Sequence, residues 1–191
     1  LLTKFTDLYV NDFMLPTGNL RESRSGAKRA SVIIVTKCPH DLDQKTKDTI
    51  IKKIAPEKEQ QVFFTTISYD ENIKGSAALL TISDLKEKEV LLVTGIANPD
   101  SLLSFLSEEN IKYKHLAYPD HYNFTDNDII KIKNESKTIS SETVILTTEK
   151  DYMRLNGKID NLCYITIKST FLSDEEKFNQ FVLSHVKKNI K

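Results

Sequence analysis

The chain has 191 residues, 39% hydrophobic and 28% charged, with 27 Lys+Arg against 27 Asp+Glu. That length carries one large domain or two small ones, and the composition is that of a globular rather than a disordered chain. The neutral balance excludes a global field for nucleic acid, Cys38 and Cys163 are too far apart in sequence for a zinc knuckle or redox pair, and no apolar run approaches the roughly 20 residues of a membrane span.

The opening "LLTKFTDLYV" lacks the basic stretch of a signal peptide. It starts on two leucines rather than Met, so the chain is expected to begin inside a longer protein. Next comes "NDFMLPTGNLRESRSGAKRA". Asp12 precedes an apolar pair, "PTGN" reads as a turn, and Arg21, Arg24, Lys28 and Arg29 face the single acid Glu22. Net charge is +3 over nine residues. Such a segment suits a phosphate or headgroup, and equally a solvated basic loop.

The apolar runs that follow are short and rich in Val and Ile: "SVIIVTKC" (31–38), "EVLLVTGIA" (89–97), "TVILTTE" (143–149) and "CYITIKS" (163–169). Continuous runs of this kind predict strands buried on both faces of a parallel sheet. Helical patterns alternate with them. "DLDQKTKDTIIKKIA" gathers Ile50, Ile51 and Ile54 and stops at Pro56. "NPDSLLSFLSEEN" predicts Asn98 as N-cap and Pro99 at the first helical position. "TDNDIIKIKN" pairs Thr125 with Asp128 as a capping box, and "SDEEKFNQFVLSHVKKNI" repeats the device with Ser173 and Glu176 while aligning Phe178, Phe181, Val182 and His185 on an inner face. Between 60 and 85 the alternation breaks into two extended pieces around a Lys74–Gly75 turn. The order predicts an α/β fold, a three-layer α/β/α sandwich with a mostly parallel sheet and a two-stranded connector. Its parts are expected at 1–59, 60–87 (the connector) and 88–191, the last Rossmann-like.

In such sheets ligands bind beyond the carboxyl ends of the strands. After "EVLLVTG" comes "IANPD", after "YKHLA" comes "YPDHYNF", and after "TVILT" comes "TEKDYMRL". His121 beside Asp120 could act as a general base, or be a half-exposed loop histidine. Glu149, Lys150 and Asp151 could line a cleft or simply cap a helix. His40 lies in a polar loop and His115 in mid-strand. No histidine pair has metal-ligand spacing, so no metal site is assigned. Neither G-x-x-x-x-G-K-[ST] nor G-x-G-x-x-G occurs.

Five segments taken together, "MLPTGNLRESRSGAKRA" (14–30), "SVIIVTKCP" (31–39), "VTGIANPDSL" (93–102), "YPDHYNFT" (118–125) and "TEKDYMRL" (148–155), resemble the lipid A 4′-kinases, the tetraacyldisaccharide 4′-kinase family of Gram-negative bacteria. The "VTKCP" turn most resembles the Bacteroidetes-like branch. The resemblance implies a membrane-associated P-loop kinase that moves the γ-phosphate of ATP, with Mg2+, to the 4′-hydroxyl of an acylated glucosamine disaccharide 1-phosphate. It acts at the cytoplasmic side of the bacterial inner membrane, with no nucleic-acid partner.

It also implies that residues 1–59 are the remainder of the P-loop domain. The phosphate-binding loop, the Mg2+ ligands and the membrane-docking segment are then expected upstream of Leu1, and the fragment alone is expected to be inactive. His121, Arg21 and Glu22 match the family's catalytic positions. Asn19, Arg21, Arg24 and Asp120 are expected to bind substrate, with Glu149, Lys150 and Asp151 in support. The competing reading is a non-catalytic α/β module that binds a nucleotide or sugar phosphate.

Overall fold

The structure, a computed structural model, describes residues 1–75 and 80–189. These form two compact units, residues 1–68 with 168–191 and residues 69–167. Mostly parallel sheets flanked by helices make the α/β class that the alternating runs predict.

The first unit is built on a sheet of order β1-β2-β3-β10, with β1 Leu2–Lys4, β2 Val32–Thr36, β3 Gln61–Tyr69 and β10 Ile167–Phe171. β1, β2 and β3 run parallel. Side chains alternate across a strand, and the sheet uses both faces. Ile33, Val35 and Phe64 pack with Ile50 and Ile54 of α1 (Gln44–Ile54). Phe63, one residue earlier in β3, meets Phe171 and Phe178 edge-on at 6.0 and 5.3 Å between centroids, and Phe178 belongs to the last helix, α6 (Glu175–Asn189). Asp43 caps α1 through the Thr46 amide at 2.7 Å, and Ala55 ends it in the left-handed region at φ 49°.

The second unit holds a fully parallel sheet of order β7-β6-β8-β9: β6 Val90–Thr94, β7 Tyr113–Ala117, β8 Val144–Thr148 and β9 Leu162–Ile165. Val90, Leu92, Val144 and Leu146 pack on one face against Leu102 and Leu106 of α3 (Asp100–Glu108). Leu91, Val93 and Ile145 pack on the other against Ile129 and Ile132 of α4 (Asp126–Ile139) and Leu155 of α5 (Glu149–Leu155). The five residues of β6 are all buried, which is why its run reads as continuous rather than alternating.

Several expectations are adjusted. "CYITIKS" is two strands rather than one: β9 ends at Ile165 in the second sheet, and β10 begins at Ile167 in the first. The segment 60–87, read as a connector, contributes β3 to the first sheet. Within the second unit a short antiparallel pair follows, β4 Asn72–Ile73 with β5 Leu80–Thr81, and then α2 Ile82–Leu85. The unit division therefore differs from a boundary at 88, because the chain returns to the first unit at 168. Gly75 of the expected Lys74–Gly75 turn adopts φ 92°, and a Cβ there would come within 2.8 Å of Leu162 O; residues 76–79 lie outside the described residues.

Helix α3 starts at Asp100, with Pro99 as cap residue. Asn98 still caps by accepting from the Asp100 amide at 2.9 Å. The Thr125–Asp128 capping box forms in full. At α6 the residue before the helix is Asp174, at φ 63°, one later than the expected Ser173. His185 is exposed rather than inward-facing, as is Val182. No helix among the described residues is long and apolar enough to cross a membrane.

Candidate active site

The strand order explains which loops meet. β6 leads into α3 on one face, whereas β7 and β8 lead into α4 and α5 on the opposite face. β6 and β8 are neighbours whose connections diverge, a topological switch point where α/β sheets open a crevice. The turns after β7 and β8 exit toward the same face, and their polar residues converge.

Asp151 anchors this end of the sheet. It is fully buried, and its Oδ2 accepts hydrogen bonds from the Gly95 amide and the Thr148 hydroxyl, each at 2.8 Å. Gly95 follows β6 and Thr148 ends β8, so one carboxylate ties the two strand ends together. Gly95 has room for little else: a Cβ would stand 3.1 Å from Asp151 Oδ1. Thr148 also caps α5, since its hydroxyl accepts from the Asp151 amide at 3.2 Å. The "TEKD" segment is thus a helix cap and part of the cluster at once.

The remaining Asp151 oxygen accepts from Arg154 Nη1 at 3.3 Å, and Arg154 Nη2 stands 3.3 Å from Nδ1 of His121. On the other side of that ring, Lys150 Nζ lies 3.4 Å from Nε2 and donates to Asp120 Oδ1 at 2.8 Å. Asp120 Oδ2 is 3.7 Å from the same Nε2. The Lys150 ammonium, seconded by the His121 amide, holds the Asp120 carboxyl below its usual range. His121 has φ 58°, a left-handed conformation that histidine tolerates better than bulkier or β-branched residues. Its amide donates to Asp120 Oδ1 at 3.0 Å, and its side chain is 72% exposed.

Tyr118, Tyr122 and Phe124 support the turn, their rings packing at 5.0 to 5.4 Å between centroids. Tyr122 donates to Asp128 at 3.1 Å, so the aromatic cluster and the α4 cap are one piece. Burial raises the Tyr118 phenol. His115, in β7, shares a hydrogen bond of 2.8 Å with the Thr94 hydroxyl and is lowered by burial.

The expected residues of the first unit fall in a separate loop. Asp12 accepts from the amides of Phe13 and Asn19 at 2.7 and 3.1 Å, which folds 12–20 back on itself. Arg24 donates twice to the Asp12 carbonyl, at 2.9 and 2.6 Å, and lies over the Phe13 ring at 5.2 Å. Its guanidinium therefore holds the loop together. Glu22 pairs with Arg29. Arg21 is exposed and forms no hydrogen bond or ion pair among the described residues. Leu1, Tyr9, Leu20, Glu22, Arg24 and Arg29 help to line a cavity of about 320 Å³.

The structure thus brings Asp120, His121, Lys150 and Asp151 together and adds Arg154, which the sequence reading leaves unassigned. Its signal is its place one turn after Asp151, the i, i+3 spacing at which helix side chains meet. Glu149 is exposed at the start of α5. Among the described residues no three or more His, Cys, Asp or Glu side chains converge on one point.

Comparison with known proteins supplies a context for this geometry. The sequence model of the family described as Tetraacyldisaccharide-1-P 4′-kinase matches residues 2–187. A tetraacyldisaccharide 4′-kinase of Flavobacterium psychrophilum is 45% identical over 97% of this chain and 54% of its own length. One from Flavobacterium johnsoniae is 42% identical over 100% and 55%, and one from Bacteroides fragilis 32% identical over 99% and 54%. The crystal structure of LpxK from Aquifex aeolicus, described as in complex with ATP, superposes with a TM-score of 0.63 at 23% identity, over 96% of this chain and 51% of that one. This last likeness is one of fold. The chain spans about half the length of the curated relatives it matches. With a family match that runs nearly end to end and relatives of this identity, the chain belongs to the tetraacyldisaccharide 4′-kinase family.

Proposed function

We propose that the chain is part of a lipid A 4′-kinase, a phosphotransferase with an alcohol acceptor. In this reading the complete protein transfers the γ-phosphate of ATP to the 4′-hydroxyl of a tetraacylated glucosamine disaccharide 1-phosphate. The observation that supports it most is the gathering of His121, Lys150, Arg154 and Asp120 at the carboxyl ends of β7 and β8, in a chain of this family. Phosphoryl transfer asks for cations and hydrogen-bond donors around the equatorial oxygens, held in place before the reaction. This cluster is of that kind, and Asp151 holds it through the sheet.

In the same reading Arg21, with no partner among the described residues, and Asn19 meet a phosphate or sugar group. Glu22 acts near the transferred group, and Arg24 holds the loop that carries them. The phosphate loop for ATP and the ligands for Mg2+ belong to sequence outside this chain, whose own residues bind and orient the reacting groups rather than hold the ion. The 191 residues alone do not turn over. The enzyme works as a peripheral protein at the cytoplasmic face of the inner membrane.

The test is transfer of labelled γ-phosphate to the lipid disaccharide 1-phosphate by the complete protein, by its His121→Ala variant and by residues 1–191 alone. Turnover in the first, a loss of at least about 100-fold in the second and none in the third is the expected pattern. A complete protein that binds nucleotide yet never phosphorylates the lipid would return the chain to the class of binding modules.

A further inference from the structure

We propose that the 12–20 loop of the first unit is a membrane-contacting element, which sets Phe13, Met14 and Leu15 into the surface of an anionic bilayer and places Arg21 at the level of the lipid headgroups. The inference takes its membrane from the kinase reading above; whether the loop enters a bilayer is decided without turnover.

Phe13, Met14 and Leu15 are consecutive, and they are 61%, 51% and 60% exposed. Single apolar residues at a surface are ordinary, but a run of large ones rimmed by polar groups marks a contact. This run is not exposed for want of structure. The Asp12 carboxylate accepts from the Phe13 and Asn19 amides. The Leu15 amide donates to the Leu20 carbonyl at 2.9 Å, and the Leu20 amide to the Phe13 carbonyl at 3.0 Å. Gly18 lies so close to Asp12 and Phe13 that no Cβ fits. The backbone thus closes on itself and keeps the three side chains at the surface. A hollow of about 360 Å³, to which Phe13, Met14, Leu20 and Arg24 contribute, opens beside them.

Charge selects the partner. Between residues 12 and 29 stand four cations, Arg21, Arg24, Lys28 and Arg29, and two acids, Asp12 and Glu22. Both acids are engaged, Asp12 by amides and Glu22 by Arg29, while Lys28 pairs with Glu57 at 3.1 Å. Arg21 directly follows Leu20, whose backbone pairs with Phe13 and Leu15. An exposed cation with no hydrogen bond or ion pair among the described residues therefore stands at the base of the apolar run. Arg24 lies over the Phe13 ring, so a soluble partner that covered Phe13 would have to desolvate that guanidinium as well. A bilayer does not impose this cost: acyl chains take the apolar tip, and the hydrated, phosphate-bearing headgroup layer takes the cations.

The test uses the complete protein with Leu15→Cys carrying the fluorophore NBD; Cys38 and Cys163 are buried, and accessible cysteines outside this chain are changed to Ser. Vesicles of phosphatidylethanolamine with about one-third phosphatidylglycerol supply the anionic surface, and phosphatidylcholine vesicles the neutral one. The probe should report water before vesicles are added, then shift to the blue on the anionic vesicles and be quenched by lipids spin-labelled on the acyl chain. Replacing Phe13, Met14 and Leu15 together by Ser should lower partitioning at least about tenfold and keep the melting temperature within about 2 °C. Arg21→Gln should lower partitioning about fivefold on anionic vesicles and leave it unchanged on neutral ones. A probe already shielded without vesicles, with a triple variant that melts lower, would show that another part of the protein covers the run and would overturn the proposal. So would a probe that stays in water while the protein binds vesicles, or one that responds equally to both kinds. If the complete protein does not phosphorylate the lipid, the functional reading fails, and the probe still decides whether the loop enters a bilayer.

Discussion

Two polar clusters in this molecule draw on the same residue types and are held in opposite ways. At the strand ends of the second unit a carboxylate with no exposure ties β6 to β8 and fixes a guanidinium, so the side chains that reach solvent stand on a buried frame. In the 12–29 loop of the first unit the framework is backbone: Asp12 collects amides, Arg24 grips a carbonyl, and the one carboxylate–guanidinium pair, Glu22 with Arg29, is 68% and 72% exposed. Charge is decisive for structure where water is excluded, and a modest addition where it is not.

The sharpest way to break that contrast is to remove one carboxylate from each. Asp151→Ala leaves the Gly95 amide without its partner and the Arg154 cation without its anion. It should destabilise the second unit by about 3 kcal/mol, the range of a broken buried pair. Glu22→Ala should cost less than about 0.5 kcal/mol. Urea unfolding followed by amide exchange, which resolves the units separately, reads both. Equal costs would mean that burial is not what distinguishes the clusters.

The loop has its own point of failure, and it is steric. A Cβ on Gly18 would overlap Asp12 Oδ1 and Phe13 O and come within 2.6 Å of the Phe13 nitrogen. Two of those three atoms are backbone, which has little freedom to yield. Gly18→Ala should therefore cost about 2 kcal/mol, within the overpacking range, and release the loop amides to exchange. Near-normal protection of the Asn19 amide would show that the loop is looser than its hydrogen bonds suggest.

How much of this is readable from sequence differs by region for the same reason. The parallel sheet of the second unit is legible because strands buried on both faces need unbroken apolar runs, and "EVLLVTG" and "TVILT" are such runs. The Thr125–Asp128 box is legible because capping is local. The split of "CYITIKS" between two sheets is not, since Ile165 and Ile167 look alike in sequence and only tertiary pairing separates them. His121, Asp120 and Lys150 can be proposed as strand-end residues. Their wiring cannot, because it depends on Asp151 being buried between β6 and β8, and "TEKD" reads equally well as an exposed cap. Arg24 reads as a ligand-binding cation because its actual bond is to a backbone carbonyl, which leaves no trace in the sequence.

The smallest expected effect sharpens the comparison most, because it asks what kind of partner each exposed carboxylate has. Asp12 is held below its ordinary range first by the Asn19 amide, Asp120 first by the Lys150 ammonium. The sign is the same for both. A carboxyl whose folded value is depressed contributes stability above its unfolded pKa of about 3.9, and loses it as pH falls through the folded value. The difference in stability between the wild-type chain and Asp120→Asn should thus be level from neutral pH to about pH 5 and shrink below it, and likewise for Asp12→Asn. Salt separates them. A charge pair exposed to solvent is screened when the Debye length falls to about 3 Å near 1 M salt, whereas an amide–carboxylate hydrogen bond does not depend on a second ion. In high salt the acid-dependent part should therefore fade for Asp120 and persist for Asp12. If both faded together, the loop would be an electrostatic cluster after all, and the two regions would be held by the same force.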